Sequence, residues 1–575
     1  MGACTERTQI KQYLQYKSEL QGSRLLCFPA ALYVIHFLQI IWQGDERMER
    51  LLSNGVESFE VLRERGAIYV DKTQYIYNLS RQIIPFFYSA PRRFGKSLLI
   101  QTMKAFWEGK RDLFRGLAIE RLMGAEEWKQ YPVFCFNFSK GYFDEVSALE
   151  EKLTEQLVLW ERIYGDEYSG FSLSGRFEQL LRKAHEQTGL RCVVLIDEYD
   201  KPLLDHLDND GLSDHFRSVF KGFFSILKSS SEDIHYVFIT GVTKFNKISI
   251  FSDLNNLTDI SLNPEYSALC GFTQEEILTY YGPEIQKLAD ANGMTQEQCL
   301  EKLKSTYDGY RFSYRGEKVY NPYDVLGSFF AGEFDYFWFE TGTPTFLVNE
   351  IRKRHYSFYK VNSRLNHERI RMRRIDLKNY RHGYGDITPL LFQTGYLTIA
   401  DFDLDAQEYL MDFPNDEVRY AFTRNLLPAV IPEDTQSGID MDDLYFAAED
   451  GMLDDMKKII QNLFAVIPYP AQEKQSQVFE YNFQSVLFIA FTLMGNRCQC
   501  EYHTFTGRID CNIQTRRFIY LFEFKCDKTA QEALQQIETN QYELAFVADP
   551  RKLYKIGVNF SSETRNMDGW EVVER

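Results

Sequence analysis

Few features restrict a fold as much as an apolar strand that runs into a glycine-lysine-serine turn and then straight into a helix. Residues 83–89, IIPFFYS, read as a short buried strand entered through Pro85. Ala90-Pro91-Arg92-Arg93-Phe94-Gly95-Lys96-Ser97 follows, and then the helical pattern LLIQTMKAFW. Strand, tight loop and helix make up the setting of a phosphate loop (Walker A). Backbone N–H groups at the helix N-terminus face an anion there, and the helix dipole favours it. Lys96 would reach the β- and γ-phosphates of a nucleotide, and the Ser97 hydroxyl would ligate Mg²⁺. Ala90 stands where the usual pattern has its first glycine. An ordinary strand-to-helix turn is the competing reading of the motif taken alone.

A second element favours the phosphate loop. Arg191-Cys192-Val193-Val194-Leu195-Ile196-Asp197-Glu198 is a continuous apolar strand ending in two acids. Central parallel strands have this pattern because both of their faces are covered. Asp197 at such a tip would hold Mg²⁺ through water, and Glu198 would orient an attacking water. A third strand, residues 235–240 (HYVFIT), ends in Thr240, with Lys244 shortly after. Thr240 reads equally as a γ-phosphate sensor or as a helix cap.

Seven stretches, two of them overlapping the motifs above, carry a family resemblance. They are Tyr69-Val70-Asp71-Lys72-Thr73, Pro91 to Leu98, Leu195-Ile196-Asp197-Glu198-Tyr199-Asp200-Lys201-Pro202, Cys270-Gly271-Phe272-Thr273, Tyr307-Asp308-Gly309-Tyr310, Tyr320-Asn321-Pro322 and Leu391 to Leu397. The chain resembles the bacterial AAA-ATPase-like proteins that carry a C-terminal nuclease-type domain. The family's usual phosphate loop also lacks the first glycine. The resemblance implies an ATP-binding α/β domain of the AAA+/STAND kind followed by a helical region. Arg92, Arg93 and Gly95 join Lys96, Ser97, Asp197 and Thr240 as the nucleotide-contacting set. AAA-type ATPases often assemble, so a homo-oligomer is within the expectation, although no arginine that reaches a neighbour's phosphate stands out.

The C-terminal signal is geometrical. Residues 478–494 read as an amphipathic helix, followed by strands near 498–503, 507–513 and 518–525, with 514–517 as the turn between the last two. If Ile513 lies opposite Phe518, Asp510 falls opposite Leu521 and diagonal to Glu523. Side chains alternate along a strand, so Asp510, Glu523 and Lys525 then share one face. A helix over 528–540 shows an apolar stripe at Ala530, Ala533, Leu534 and Ile537, and 544–549 (LAFVAD) reads as one more strand. This order resembles the PD-(D/E)XK nuclease core, with Ile509-Asp510 in place of the family's Pro-Asp. The resemblance adds Glu480 on the preceding helix and Gln536 on the following one. Two carboxylates suit hard Mg²⁺, and Lys525 would position the nucleophilic water and offset charge on a scissile phosphate. A hairpin whose Glu and Lys form a cross-strand ion pair is the plainer alternative.

Charge enters as a constraint on partners. The formal charge is −17, which excludes a bulk coat for nucleic acid. Residues 352–381 nevertheless hold eleven Lys/Arg against Glu368 and Asp376, with Tyr356, Phe358, Tyr359 and Tyr380 interleaved. That mixture fits a single-strand-tracking surface, but a patch docked on the acidic remainder of the chain is slightly favoured. Ten cysteines without a CxxC pair suit reduced thiols in a cytoplasmic protein. The apolar run 25–42 is short for a membrane span, and no stable membrane partner is expected. Met48 is the preferred start, which makes 1–47 an upstream extension.

The expected architecture is α/β and multidomain: 1–47, a P-loop domain over 48–270, a mainly helical middle over 271–470 and a restriction-endonuclease-like domain over 471–575. The expected function is an ATPase coupled to a Mg²⁺-dependent nuclease for DNA or RNA. The alternative is a nucleotide-dependent signalling or scaffold protein whose nuclease-like domain binds without cutting.

Overall fold

The computed structural model describes residues 50–338, 370–378, 387–422, 441–465, 497–503 and 507–575, apart from 125–126, 207–208, 245–249, 252–253, 255 and 565. The first sheet is wholly parallel. Its strands are β1 (Phe86–Ser89), β2 (Val133–Asn137), β3 (Cys192–Asp197), β4 (Ile234–Gly241) and β5 (Thr258–Asp259), in the order β2-β3-β4-β1-β5. β1 begins three residues later than its apolar run suggests, and Ile83 is 86% exposed. Pro85 has no N–H to give a ladder, so pairing starts after it.

Every residue of β1 and β3 is buried. Period two divides them between two cores. Phe86, Tyr88, Val193 and Leu195 face one, where Leu99 and Ile100 of helix α1 (Lys96–Trp107) pack. Phe87, Val194 and Ile196 face the other, covered by α2 (Ala148–Tyr164), α3 (Leu173–Thr188) and α4 (Asp210–Phe224). Helices on both faces of a parallel sheet are the α/β arrangement that the apolar strands call for.

The middle of the chain is mainly helical, with α5 (Gln274–Tyr280), α6 (Gly282–Ala291), α7 (Gln296–Tyr307), α8 (Pro322–Ala331) and α9 (Thr388–Thr394). It also carries a three-stranded antiparallel sheet that periodicity did not announce: β6 (Ile370–Arg373), β7 (Thr398–Asp403) and β8 (Glu408–Asp412), in the order β6-β8-β7. Of the basic stretch, only residues 370–378 are described. There Arg371 pairs with Asp403 at 3.0 Å and Arg373 with Asp376 at 2.7 Å, acids of the same chain.

The C-terminal sheet runs β13-β12-β11-β10-β9, from β9 (Arg497–His503), β10 (Arg508–Gln514), β11 (Phe518–Cys526), β12 (Lys552–Ser561) and β13 (Asn566–Glu574). Only the β11–β12 pair is parallel. One face packs on α10 (Met441–Asp450) and α11 (Leu453–Ala465), and the other on α12 (Ala530–Thr539). A capping box between Thr529 and Glu532 starts α12, and Ala530, Ala533, Leu534 and Ile537 are its buried stripe. Residues 544–549 are not the expected strand. Tyr542–Phe546 form a 3-10 turn, and the partner of β11 is β12. A six-residue apolar run cannot be told from a helical turn by periodicity. Among the described residues no helix is long and apolar enough to cross a membrane.

Candidate functional site

A cleft of about 540 Å³ opens at the carboxyl end of β1 and β3. Open parallel sheets offer ligands this edge. Arg92, Arg93, Gly95, Lys96, Ser97 and Glu198 all line it. Gly95 is the N-cap of α1 at φ +91°, a conformation with little cost only for glycine. Arg93 takes φ +70° and lays its guanidinium over the Tyr323 ring, 4.6 Å from the centroid. Lys96 is 4% exposed and donates to the Pro91 carbonyl at 2.7 Å. Burial pulls its ammonium below the usual range, and the charges of Glu198 and Asp197 resist that.

Asp197 is fully buried at the tip of β3. Burial first, and then the Glu198 charge, push its carboxyl up to about 7, while Ser97 and Lys96 oppose the shift. Neither of its oxygens completes a hydrogen bond within the described chain. Glu198 follows at φ +51°, a left-handed turn that is costly outside glycine. Thr240 is buried next door, where its carbonyl accepts from the Tyr199 N–H at 3.2 Å. Its hydroxyl lacks a partner among the described residues, and it does not line the cleft.

The remaining walls come from distant segments: Val56, Ile68 and Val70 ahead of the loop, and Phe272, Tyr281, Tyr323 and Leu326 from the middle. The middle also buttresses the loop from behind. Phe94 packs edge-on against Tyr310 (4.7 Å) and Phe312 (5.5 Å), and its carbonyl accepts from the Gly271 N–H at 3.1 Å. These contacts tie the Tyr307–Tyr310 and Cys270–Thr273 stretches to the loop.

The second site lies on the β10–β11 hairpin. Its register differs by two residues from the expected one: Ile513 faces Tyr520, and Cys511 faces Phe522. Thr515 shapes the turn that goes with this register. Its hydroxyl accepts from the Phe518 N–H at 2.9 Å and the Arg517 N–H at 3.3 Å, which closes the turn around Arg516 and Arg517. Asp510 therefore lies beside Glu523 rather than diagonal to it. The ladder stops at Cys511, and the Asp510 carboxylate takes the Phe524 N–H at 2.8 Å in place of the next rung. A shift of two preserves the face, so the three residues remain together.

Glu523 is 1% exposed and accepts from Lys525 at 3.1 Å. Burial, and then the Asp510 charge, raise its carboxyl to about 8, with Lys525 opposing. Its second oxygen has no partner among the described residues. Gln536 is half-buried on α12, and its side chain forms no hydrogen bond with these carboxylates. Glu480 lies outside the described residues.

Comparison with known proteins agrees with both halves. A family described as "Predicted AAA-ATPase" matches residues 53–251, and the PD-(D/E)XK nuclease superfamily matches residues 478–570. An "uncharacterized protein in vnfD 5'region" of Azotobacter chroococcum is 33% identical over 527 residues, covering 90% of this chain and 98% of its own length. The chain belongs to the AAA-ATPase-like family with a C-terminal PD-(D/E)XK nuclease superfamily domain. No solved structure matches it.

In this AAA-ATPase-like chain, no group of three or more His, Cys, Asp or Glu side chains among the described residues is placed to hold a metal ion. A cation at either place would thus be held by one or two carboxylates and completed by water, hydroxyl or phosphate oxygen. That is the way Mg²⁺ is usually bound. The buried oxygens of Asp197 and Glu523 fit such an ion. Sequence reasoning left Lys201 and Lys140 without a role, yet both line the cleft beside Lys96. Lys201 sat inside a quoted motif, whereas nothing marked Lys140 or the middle-region walls.

Proposed function

We propose that this protein is a cytoplasmic ATP-binding ATPase coupled to a Mg²⁺-dependent nuclease that cleaves DNA or RNA. One observation carries the reading. In two separate places a carboxylate on a buried strand sits beside a lysine with oxygen that the described chain leaves unpartnered, Asp197 in one and Glu523 in the other. Burying an ionised carboxylate costs several kcal/mol unless something replaces its lost water. A divalent cation does so at both.

Ser97 and Asp197 would hold the first ion, and Asp510 and Glu523 the second. When bound, Mg²⁺ neutralises phosphate oxygens and acidifies a coordinated water. The N–H groups opening α1 and the Lys96 ammonium hold the β- and γ-phosphates, with Arg92 and Arg93 in the same loop. Glu198 orients the attacking water. In the second site Lys525 positions a water against the scissile phosphate and offsets the charge that develops there. Phe94 links the loop to Tyr310 and Phe312, so nucleotide would be felt in the middle region on the way to the nuclease unit. We place that unit's start before α10, because α10 and α11 cover its sheet.

The full chain with Mg²⁺, with and without ATP, is assayed on single- and double-stranded DNA and RNA. Cleavage is expected in wild type and lost in Asp510→Ala and Lys525→Ala. ATP hydrolysis without cleavage of any substrate would sink the nuclease and leave a scaffold. ATP binding unchanged in Lys96→Ala would end the phosphate-loop assignment.

A further inference from the structure

We infer that Lys201 supplies, from within the same chain, the positive charge that the γ-phosphate requires during hydrolysis, so that the ATP site is complete without a second copy. The inference rests on the reading of the cleft as an ATP-hydrolysing site. It starts from the turn after β3. The Lys201 N–H donates to the Glu198 carbonyl at 3.1 Å and closes that turn. Its two inner residues are anchors. Asp200, 1% exposed, accepts from the Val242 N–H at 3.1 Å and from the Thr243 N–H and hydroxyl at 2.6 and 2.7 Å. The Tyr199 hydroxyl donates to the Thr243 carbonyl at 2.9 Å. Gly241 permits this approach, since a Cβ there would come within 2.5 Å of Asp200 Oδ1.

Clamped to the end of β4 in this way, the turn presents its two outer residues, Glu198 and Lys201, to the cleft that Lys96 and Ser97 also line. The Lys201 ammonium is paired at 2.5 Å with Asp205, four residues on, with side chains 25% and 33% exposed. A partly exposed i,i+4 pair is weak, so a phosphate displaces it readily. Arg92, in the loop itself, is already assigned to the phosphates, and three other cations of the cleft are less suited. Lys72 is held by Glu276 and the Ala268 carbonyl, Arg93 is stacked on Tyr323, and Lys140 is exposed.

In the reaction a water oxygen bonds to the γ-phosphorus as the bond to the β,γ-bridging oxygen breaks. ADP leaves with that electron pair, the water's proton passes to Glu198, and inorganic phosphate is formed. Charge spreads over the transferring oxygens, where a fixed cation acts on the transition state more than on bound ATP.

Full-length wild type, Lys201→Ala, Lys201→Arg and Asp205→Asn are compared for the Kd of a fluorescent ATP analogue with Mg²⁺, for single-turnover ATP hydrolysis and for unfolding midpoint. Lys201→Ala is expected to slow hydrolysis by about 10³-fold while its Kd moves by less than about tenfold. Arginine restores part of the rate, Asp205→Asn stays near wild type, midpoints coincide and the wild-type rate per chain does not depend on protein concentration. Equal rates in wild type and Lys201→Ala, an equal loss in Asp205→Asn, or a rate per chain that climbs with concentration would each overturn the role of Lys201 and leave the ATPase standing. A wild-type chain that binds ATP without hydrolysing it overturns the ATPase reading, and this role with it.

Discussion

Asp324 and Glu417 bury two carboxyl groups against Tyr310, one ring away from Phe94 of the phosphate loop. Asn321 and Asn415 face the same Tyr310 hydroxyl, and the Trp338 N–H donates to Glu417 at 2.9 Å. Burial first, and then the Glu417 charge, hold the Asp324 carboxyl well above its usual range. A carboxyl raised on folding stabilises the protein below its unfolded value of about 4. That contribution is lost as pH rises through the folded value. Asp324→Asn should therefore flatten the fall in unfolding midpoint as pH rises above the ordinary carboxyl range. Parallel midpoint curves for the two proteins would refute the raised Asp324 carboxyl. The strand-turn-helix around Lys96 and Ser97 and the acidic strand tip at Asp197 were legible in the sequence because each is a short motif with its own secondary structure. The carboxyl pair was not, because folding joins residues far apart in the chain.

Elements decide what single residues can reach. In the β10–β11 turn the Thr515 hydroxyl takes two N–H groups, beside the backbone bond from the Thr515 N–H to the Phe518 carbonyl, so Thr515→Val should cost roughly 1–3 kcal/mol in denaturant unfolding by stranding those two groups. It should also weaken cleavage, since the turn sets Asp510 beside Glu523. An unchanged denaturation midpoint would show that the strands alone fix the register. The clamp behind Glu198 makes a matching case. Gly241→Ala would drive a methyl into Asp200 and the Tyr199 ring, and overpacking of that kind costs typically about 1–3 kcal/mol. ATP turnover should fall with it, and normal turnover in a stable variant would show that the turn does not position Glu198. Strand and helix types were mostly readable from period two and period 3.6. Register was not, because the 514–517 segment allowed more than one turn and a slip of two leaves the face pattern intact. The 3-10 turn at Tyr542–Phe546 misled for a related reason: a short apolar run carries no period.

On the scale of the molecule, the phosphate loop is packed between an α/β sheet and the middle region. Nucleotide with Mg²⁺ at about 100 times its Kd should add about 2.7 kcal/mol and slow amide exchange in residues 387–397 and 307–312 as well as in α1. Protection confined to α1 would show that the middle region does not share the site. Lys96→Ala should abolish the effect, whereas Lys525→Ala should leave it intact. The acidic total of −17 suits this picture, since Arg371 and Arg373 already pair with acids of the same chain.

The sequence by itself determined the α/β class, the glycine-lysine-serine turn between strand and helix, the acidic strand tip and the Asp…Glu-x-Lys pattern. Each is a local arrangement written in adjacent residues and their periodicity. Tertiary structure alone decided which carboxylates stand side by side, that Tyr310, Phe312 and Tyr323 press on the loop, and that Lys201 shares a cleft with Lys96. Those depend on how a turn closes and on which sequence-distant surfaces exclude water together, and neither is local.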